Sequence, residues 1–213
     1  RSTHHSTKIE GNKIAETAVP SVIAIPTRQT TQEQEVRNYW RALEWMERQL
    51  EGTTRITQDL IRELHQIIIP APGRKKKGDY RRQSVGVINS ETRDYEYMAP
   101  NWEDVPGLMA ELVKWVESAG AAKLPAPIRA AILAYRFVTI HPFLDGNGRV
   151  ARALATLELW RSSYWMRGFL SMEEHYTSDQ EAYDANLQMG LPADYYQGRN
   201  DPDLTPWLTY FFQ

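Results

Sequence analysis

Residues His141-Pro142-Phe143-Leu144-Asp145-Gly146-Asn147-Gly148-Arg149-Val150-Ala151-Arg152 place a base, a hard-oxygen ligand, a glycine-flanked turn and two arginines in one short run. Gly146-Asn147-Gly148 leads into a helical stretch, where free N–H groups and the helix dipole favour an anion. Glycine lets backbone approach phosphate oxygens closely. Arg149 and Arg152 lie three apart, on one helical face, where two guanidiniums can grip phosphate oxygens bidentately. Asp145 suits Mg²⁺ that bridges phosphates. The His141 imidazole, with an ordinary pKa of about 6.5, can accept a proton from a hydroxyl nucleophile near neutral pH. Phe143 falls between these polar positions as a core anchor. Each part has a bland alternative: a helix-end histidine, a turn, a solvated pair of arginines. Their convergence on one turn favours a site that holds a polyphosphate and transfers part of it.

The elements around the run are helical. Residues 6–16 suggest a short helix with Ser6 or Thr7 near its N-cap and Ile9 as an apolar contact. Pro20 to Thr30, bracketed by Pro20 and Pro26, looks like a linker. Thr30 and Glu33 have capping-box spacing. After them Val36, Tyr39, Trp40, Leu43, Met46 and Leu50 recur at helical period until Gly52. A second helix runs from Thr57, with Leu60, Ile61, Leu64, Ile67 and Ile68 inward, up to Pro70. Pro70-Ala71-Pro72-Gly73 and the basic run Arg74-Lys75-Lys76-Lys77 change the texture. Residues 83–89 and 93–98 then alternate as two strands around Ser90-Glu91-Thr92. Helices are expected again at 101–119 (Leu108, Leu112, Trp115 and Val116 inward), 127–140, 150–161 (Leu154, Leu157 and Trp160), 176–189 and 203–213. The fold class is all-α with one β-hairpin.

Bulk composition bounds the function. The chain has 213 residues, 42% of them apolar and 24% charged, with a formal net charge of −2 and no cysteine. That is ordinary for a globular domain and gives no global electrostatic case for nucleic acid or an anionic membrane. The basic run lacks the interleaved aromatics that stack bases, so nucleic acid is not an expected partner of this segment. No apolar stretch reaches the ~18 residues of a membrane span, and no membrane partner is expected. Absence of cysteine fits a cytoplasmic location. Thr205 to Gln213 looks like a helix cut short, so the domain is taken as truncated C-terminally.

At the opening run the chain resembles the Fic family, whose signature is His-x-Phe-x-(Asp/Glu)-Gly-Asn-Gly-Arg-x-x-Arg. His141, Phe143, Asp145, Gly146, Asn147, Gly148, Arg149 and Arg152 match every constrained position. Gly78-Asp79-Tyr80-Arg81 and the hairpin resemble the family's flap, and Val105-Pro106-Gly107-Leu108-Met109 its next helix. The resemblance implies a Fic-type helical core over residues 31–213 and AMP transfer from ATP onto a Ser, Thr or Tyr hydroxyl of a target protein. It implies His141 as the base, Asp145 as the Mg²⁺ ligand, and Gly146, Asn147 and Gly148 as the anion hole. Arg149 and Arg152 would take the distal phosphates. Tyr183 and Asn186 resemble nucleotide-side positions more loosely. Val85, Gly86, Val87 and Ile88 of the flap would dock the target as an added strand.

Ser6-Thr7-Lys8-Ile9-Glu10-Gly11-Asn12 resembles the (Ser/Thr)-x-x-x-Glu-(Gly/Asn) inhibitory motif of many Fic proteins. Residues 1–30 would then be an N-terminal inhibitory helix and linker. Glu10 would compete with phosphate for Arg152, and Ser6 opens the motif. The same residues would also serve a hydrolase that removes AMP, with the glutamate orienting water. A non-catalytic binding module is a third reading, disfavoured by the intact His141 and Asp145. A homodimer is compatible with the sequence.

Overall fold

The structure, a computed structural model, describes residues 2–24, 30–50, 54–69, 78–88, 92–164 and 172–212. The expectations for Pro26, Gly52, Pro70 to Gly73, the Arg74–Lys77 run and the tip at Ser90 and Glu91 fall outside these. Helices are α1 (Ser2–Ile9), α2 (Val19–Ala24), α3 (Thr31–Gln49) and α4 (Gln58–Ile68), then the strands β1 (Gly86–Ile88) and β2 (Tyr95–Met98). After them come α5 (Val105–Val116), α6 (Ala126–Ile140), α7 (Asn147–Arg161), α8 (Met172–Ser178), α9 (Gln180–Gln188) and α10 (Thr205–Phe211). Among the described residues the fold is all-α apart from one antiparallel hairpin.

Local chemistry accounts for several boundaries. The Glu33 N–H donates to Thr30 Oγ1 (3.3 Å) and the Thr30 N–H donates to Glu33 Oε2 (2.7 Å), a complete capping box. Thr57 caps α4 through the Leu60 N–H at 3.1 Å. α3 and α4 bury Tyr39, Met46, Ile61, Leu64 and Ile68 against α5, α6 and α7. Trp40, expected inward, is exposed; Leu108 and Trp115 of α5 are half-buried and pack against the core, where Val105 and Met109 are fully buried.

α6 and α7 form the central pair, and α7 is buried on nearly every face from Asn147 to Glu158. Alanines 130, 134 and 155 let neighbouring helices approach closely. A second, aromatic cluster of Tyr135, Tyr176, Tyr183, Trp207 and Tyr210 joins α6 to α8, α9 and α10. The Trp207 indole N–H donates to the Ala131 carbonyl at 2.9 Å.

Four expectations need correction. The first helix spans Ser2–Ile9, not 6–16, because the chain reverses at Gly11 (φ +85°) in a Schellman turn. There the Gly11 N–H donates to the Lys8 carbonyl (2.9 Å) and the Asn12 N–H to the Thr7 carbonyl (3.1 Å). The Pro20 linker begins instead as α2, since proline is tolerated in a helix's first turn. Residues 176–189 are divided between α8 and α9, because Asp179 caps a new start by accepting from the Ala182 N–H (2.9 Å). The strands are shorter than expected, and a register shift falls between Val87 and Ile88.

Candidate active site

The turn between α6 and α7 is built by conformations that the sequence specifies locally. His141 ends α6 in the left-handed region (φ 51°, ψ 57°), and Pro142 cannot continue the helix. Gly146 caps α7 at φ 79°, and a Cβ there would lie 2.1 Å from Ile69 Cδ1. Only glycine fits. Asn147 clasps the loop: its Oδ1 accepts from the Phe143 N–H (3.0 Å) and its Nδ2 donates to the Phe143 carbonyl (2.9 Å). Its side chain is thus spent on shaping the turn, leaving its backbone N–H at the helix start for a ligand. α7 begins at Asn147, three residues before the sequence expectation, so Gly148 and Arg149 lie in its first turn.

Two buried residues brace this turn: His65, which the sequence reading does not single out, and Arg81, which it names only in the lead-in to the flap. His65 on α4 stacks on Phe143, with ring centroids 3.8 Å apart and planes 18° apart. Its Nδ1 accepts from the Gly78 N–H (3.1 Å), so Nε2 holds the proton and donates to the Asp145 carbonyl at 3.1 Å. Arg81 is buried beside the flap. Its Nε donates to the His141 carbonyl (2.8 Å) and its Nη2 to the Pro100 carbonyl (2.6 Å), while its own N–H donates to the Pro142 carbonyl (2.8 Å). Neither bracing role has a local signal, because both residues act through partners distant in sequence.

The turn's titratable groups are held in defined states. His141 Nδ1 lies 3.2 Å from the Val138 carbonyl, an acceptor, so Nδ1 carries the proton and Nε2 keeps its lone pair. Burial lowers the His141 pKa below 6.5, reinforced by Arg81 and opposed by the Val138 hydrogen bond and by Glu10 and Asp145. The imidazole is therefore neutral at pH 7. Asp145 has a side chain 59% exposed and accepts from Arg149 Nη2 at 3.2 Å. One open carboxylate beside a phosphate-type cradle matches how Mg²⁺ is held, by one or two carboxylates plus phosphate oxygens.

The two arginines differ. Arg149 is 4% exposed, and its Nε and Nη1 make no hydrogen bond, although Nη1 lies 3.5 Å from Glu35 Oε1. Arg152 is fully engaged: Nε donates to Ser6 Oγ (3.0 Å), and Nη2 donates to the Ser6 carbonyl (2.9 Å) and to Glu10 Oε1 (2.8 Å). Burial is the largest influence on Arg152 and opposes its charge, but Glu10, Tyr183 and Tyr39 together outweigh it and raise the pKa. Burial is likewise the largest influence on Glu10 and opposes its ionisation, but Arg152, Arg149 and His141 together hold the carboxyl below 4.5. A Cβ on Gly148 would meet Glu10 Oε1 at 2.4 Å, so the carboxylate lies against the α7 N-terminus. Glu10 follows the last residue of α1 and precedes Gly11, so the Schellman reversal aims it. Ser6 is buried inside α1.

The remaining expected residues are placed unevenly. Tyr183 is buried against the aromatic cluster, with Arg152 beside its hydroxyl. Asn186 Nδ2 donates to Ala182 of its own helix (2.8 Å) and is not drawn into the turn by any described contact. On the flap Val85 is half-buried, while Gly86, Val87 and Ile88 are exposed. The hairpin is pinned beside the turn because the Tyr97 hydroxyl donates to the Thr139 carbonyl on α6. The Tyr97 and His141 rings lie 6.3 Å apart.

Fold and turn together define a helical domain that presents a neutral histidine, a carboxylate and two buried guanidiniums around a helix N-terminus. A model of the Fic/DOC family matches residues 55–159. The chain is 29% identical over 165 residues to the "Protein adenylyltransferase Fic" of Drosophila virilis, covering 76% of this chain and 33% of that protein. The like-named protein of Drosophila yakuba is 28% identical over the same length, with 32% of it covered. The chain thus spans about a third of the length of these curated relatives. A Fic-domain-containing signalling protein from Bacteroides thetaiotaomicron shares the fold, with a TM-score of 0.82 at 24% identity over 98% of this chain and 79% of that one. A Fic family protein from Desulfovibrio desulfuricans gives a TM-score of 0.79 at 28% identity, over 99% and 59% of the two chains. The family model, the Fic-named relatives and the Fic-domain structures together support a Fic family protein. Among the described residues no helix is long and apolar enough to cross a membrane.

Proposed function

We propose that this chain transfers AMP from ATP to a hydroxyl side chain of a target protein, and that residues 1–30 restrain residues 31–213 through Glu10. The observation that carries the phosphate half is Arg149 in the first turn of α7, whose buried Nε and Nη1 make no hydrogen bond although Glu35 and Asp145 lie beside the guanidinium. Buried charged donors call for an acceptor, and a phosphate oxygen supplies one. The adenylyl half rests on the relatives' printed name.

In this reading the target hydroxyl oxygen attacks the α-phosphorus and its proton passes to His141 Nε2. The bond from the α-phosphorus to the bridging oxygen breaks, and pyrophosphate leaves. The N–H groups of Asn147 and Gly148 face the negative charge, and Arg149 and Arg152 hold the distal phosphates. Asp145 would hold Mg²⁺, which when bound neutralises phosphate charge. The outer edge of β1 pairs with no strand among the described residues, which leaves it for a target backbone that aligns the hydroxyl.

Glu10 sets the resting state. It occupies Arg152, so the γ-phosphate meets a guanidinium already neutralised and ATP sits misplaced for in-line attack, which lowers rate steeply. A hydrolytic second reading is favoured by one feature, the Glu10 carboxylate lying against the α7 N-terminus, where it could orient water. Incubating wild type and Glu10→Gly with labelled ATP and with pre-AMPylated target separates the two. The transferase reading expects more labelling by Glu10→Gly; loss of AMP removal in that variant, with no gain of labelling, would sink it.

A further inference from the structure

Outside the turn, α1 carries a second group of ligating atoms. His4 and His5 lie side by side, with ring centroids 4.9 Å apart and planes at 71°. Glu16 comes back towards them after the Gly11 reversal, in the helical turn Glu16–Ala18 that precedes α2. One ligand atom from each of the three lies within 4.8 Å of the others.

The His5 ring is oriented for coordination. Its Nδ1 lies 2.6 Å from Thr177 Oγ1 on α8, and the Thr177 hydroxyl gives its single proton to the Glu174 carbonyl at 3.0 Å. The hydrogen between Thr177 and His5 therefore sits on His5 Nδ1, and Nε2 keeps its lone pair. That Nε2 is buried and has no hydrogen-bond partner. A buried acceptor without a donor is an exception that calls for an explanation. An imidazole fixed by a hydrogen bond at one nitrogen and bare at the other is how proteins present a metal ligand.

We propose that His5 Nε2, His4 and the Glu16 carboxylate bind one first-row transition-metal ion of the Zn²⁺ type, with water completing the shell. Two imidazoles and a carboxylate are a donor set that suits such an ion. Tetrahedral donors at bond lengths near 2.1 Å stand roughly 3.4 Å apart. The three ligand atoms, within 4.8 Å of one another, would have to draw in by up to about 1.4 Å to reach that spacing. The ion would clasp α1 to the turn beyond Gly11, with Ser6 and Glu10 on the clasped segment. Its regulatory consequence, a firmer hold of Glu10 on Arg152, rests on the restraint proposed above; the site itself does not.

The test is calorimetric titration of Zn²⁺ into the intact chain, with Co²⁺ as the spectroscopic probe. The site predicts one ion per chain, a tetrahedral Co²⁺ spectrum, and at least a tenfold weaker affinity in both His4→Ala and Glu16→Gln. His175→Ala, which removes an exposed histidine elsewhere, should leave the affinity unchanged. Circular dichroism of each variant confirms folding. Absent binding, or binding that survives both substitutions, overturns the site. In a parallel labelling assay Zn²⁺ should slow AMP transfer by wild type and not by Glu16→Gln. Unaltered labelling with binding intact overturns the regulatory consequence. If Glu10→Gly fails to raise labelling, the restraint falls while the calorimetry still judges the site.

Discussion

Replacing Glu10 by Ala removes both the charge and the acceptor that Arg152 Nη2 uses. In wild type the carboxylate is 2.8 Å from Arg152 Nη2 and keeps 30% of its surface open to water. A charge-assisted hydrogen bond contributes about 1.5–3 kcal/mol, and partial exposure points to the middle of that range, about 2 kcal/mol. Since about 1.4 kcal/mol is tenfold, α1 should release Arg152 some thirtyfold more often. The folded-state pKa of Glu10 lies below 4.5, so the contact persists above that value and weakens only as pH falls through the lowered pKa. At pH 7 the whole effect is therefore available to the mutation. The assay pairs initial rates of AMP incorporation with amide exchange of residues 2–12. Labelling should rise by about ten- to thirtyfold, with faster exchange in α1. Faster exchange with unchanged labelling would show that Glu10 holds the helix without restraining the reaction. No change in either would show that the pair contributes no net stability.

Other outcomes follow from the same geometry. The depressed His141 pKa keeps its base form dominant at neutral pH, so the acid limb of kcat/KM should fall below pH 6.5; a limb centred above 6.5 would contradict the burial argument. Gly11→Ala meets open space but must adopt φ +85°. The strain of about 1 kcal/mol should loosen the Glu10 reversal and raise labelling about fivefold, with exchange in α1 rising in parallel. Arg81→Met removes the donors that tie His141, Pro100 and Gln83 together. The stranded carbonyls should lower stability by about 2–4 kcal/mol, read as a drop in thermal midpoint. An unchanged midpoint would show that water replaces the guanidinium.

What the sequence made legible was chemistry that is local along the chain. The capping box at Thr30 and Glu33, the cap at Thr57 and the glycine turn that starts α7 at Gly146 to Gly148 each need residues only a few positions apart. Ser6, Glu10 and Arg152 were joined through a family resemblance, although no periodicity links residues so far apart. The bracing roles of His65 and Arg81 have no local signal because their partners, Gly78 and Asp145 for one and Pro100 and His141 for the other, meet only in the folded molecule. α7 gave a weak amphipathic signal because its centre is surrounded on all sides, so its start was misplaced by three residues. The end of α1 differs for another reason: the sequence pattern carries the helix through Gly11, whose left-handed conformation stops it. The same stop points Glu10 at Arg152.

The most direct test of the central claim uses Glu10→Gly protein, with ATP labelled at the α-phosphate in one arm and at the γ-phosphate in the other. Protein-bound label is expected from the α position only, strongly reduced in wild type and abolished when His141→Ala is added. Label retained from the γ position, or α-label that persists without His141, would contradict that claim.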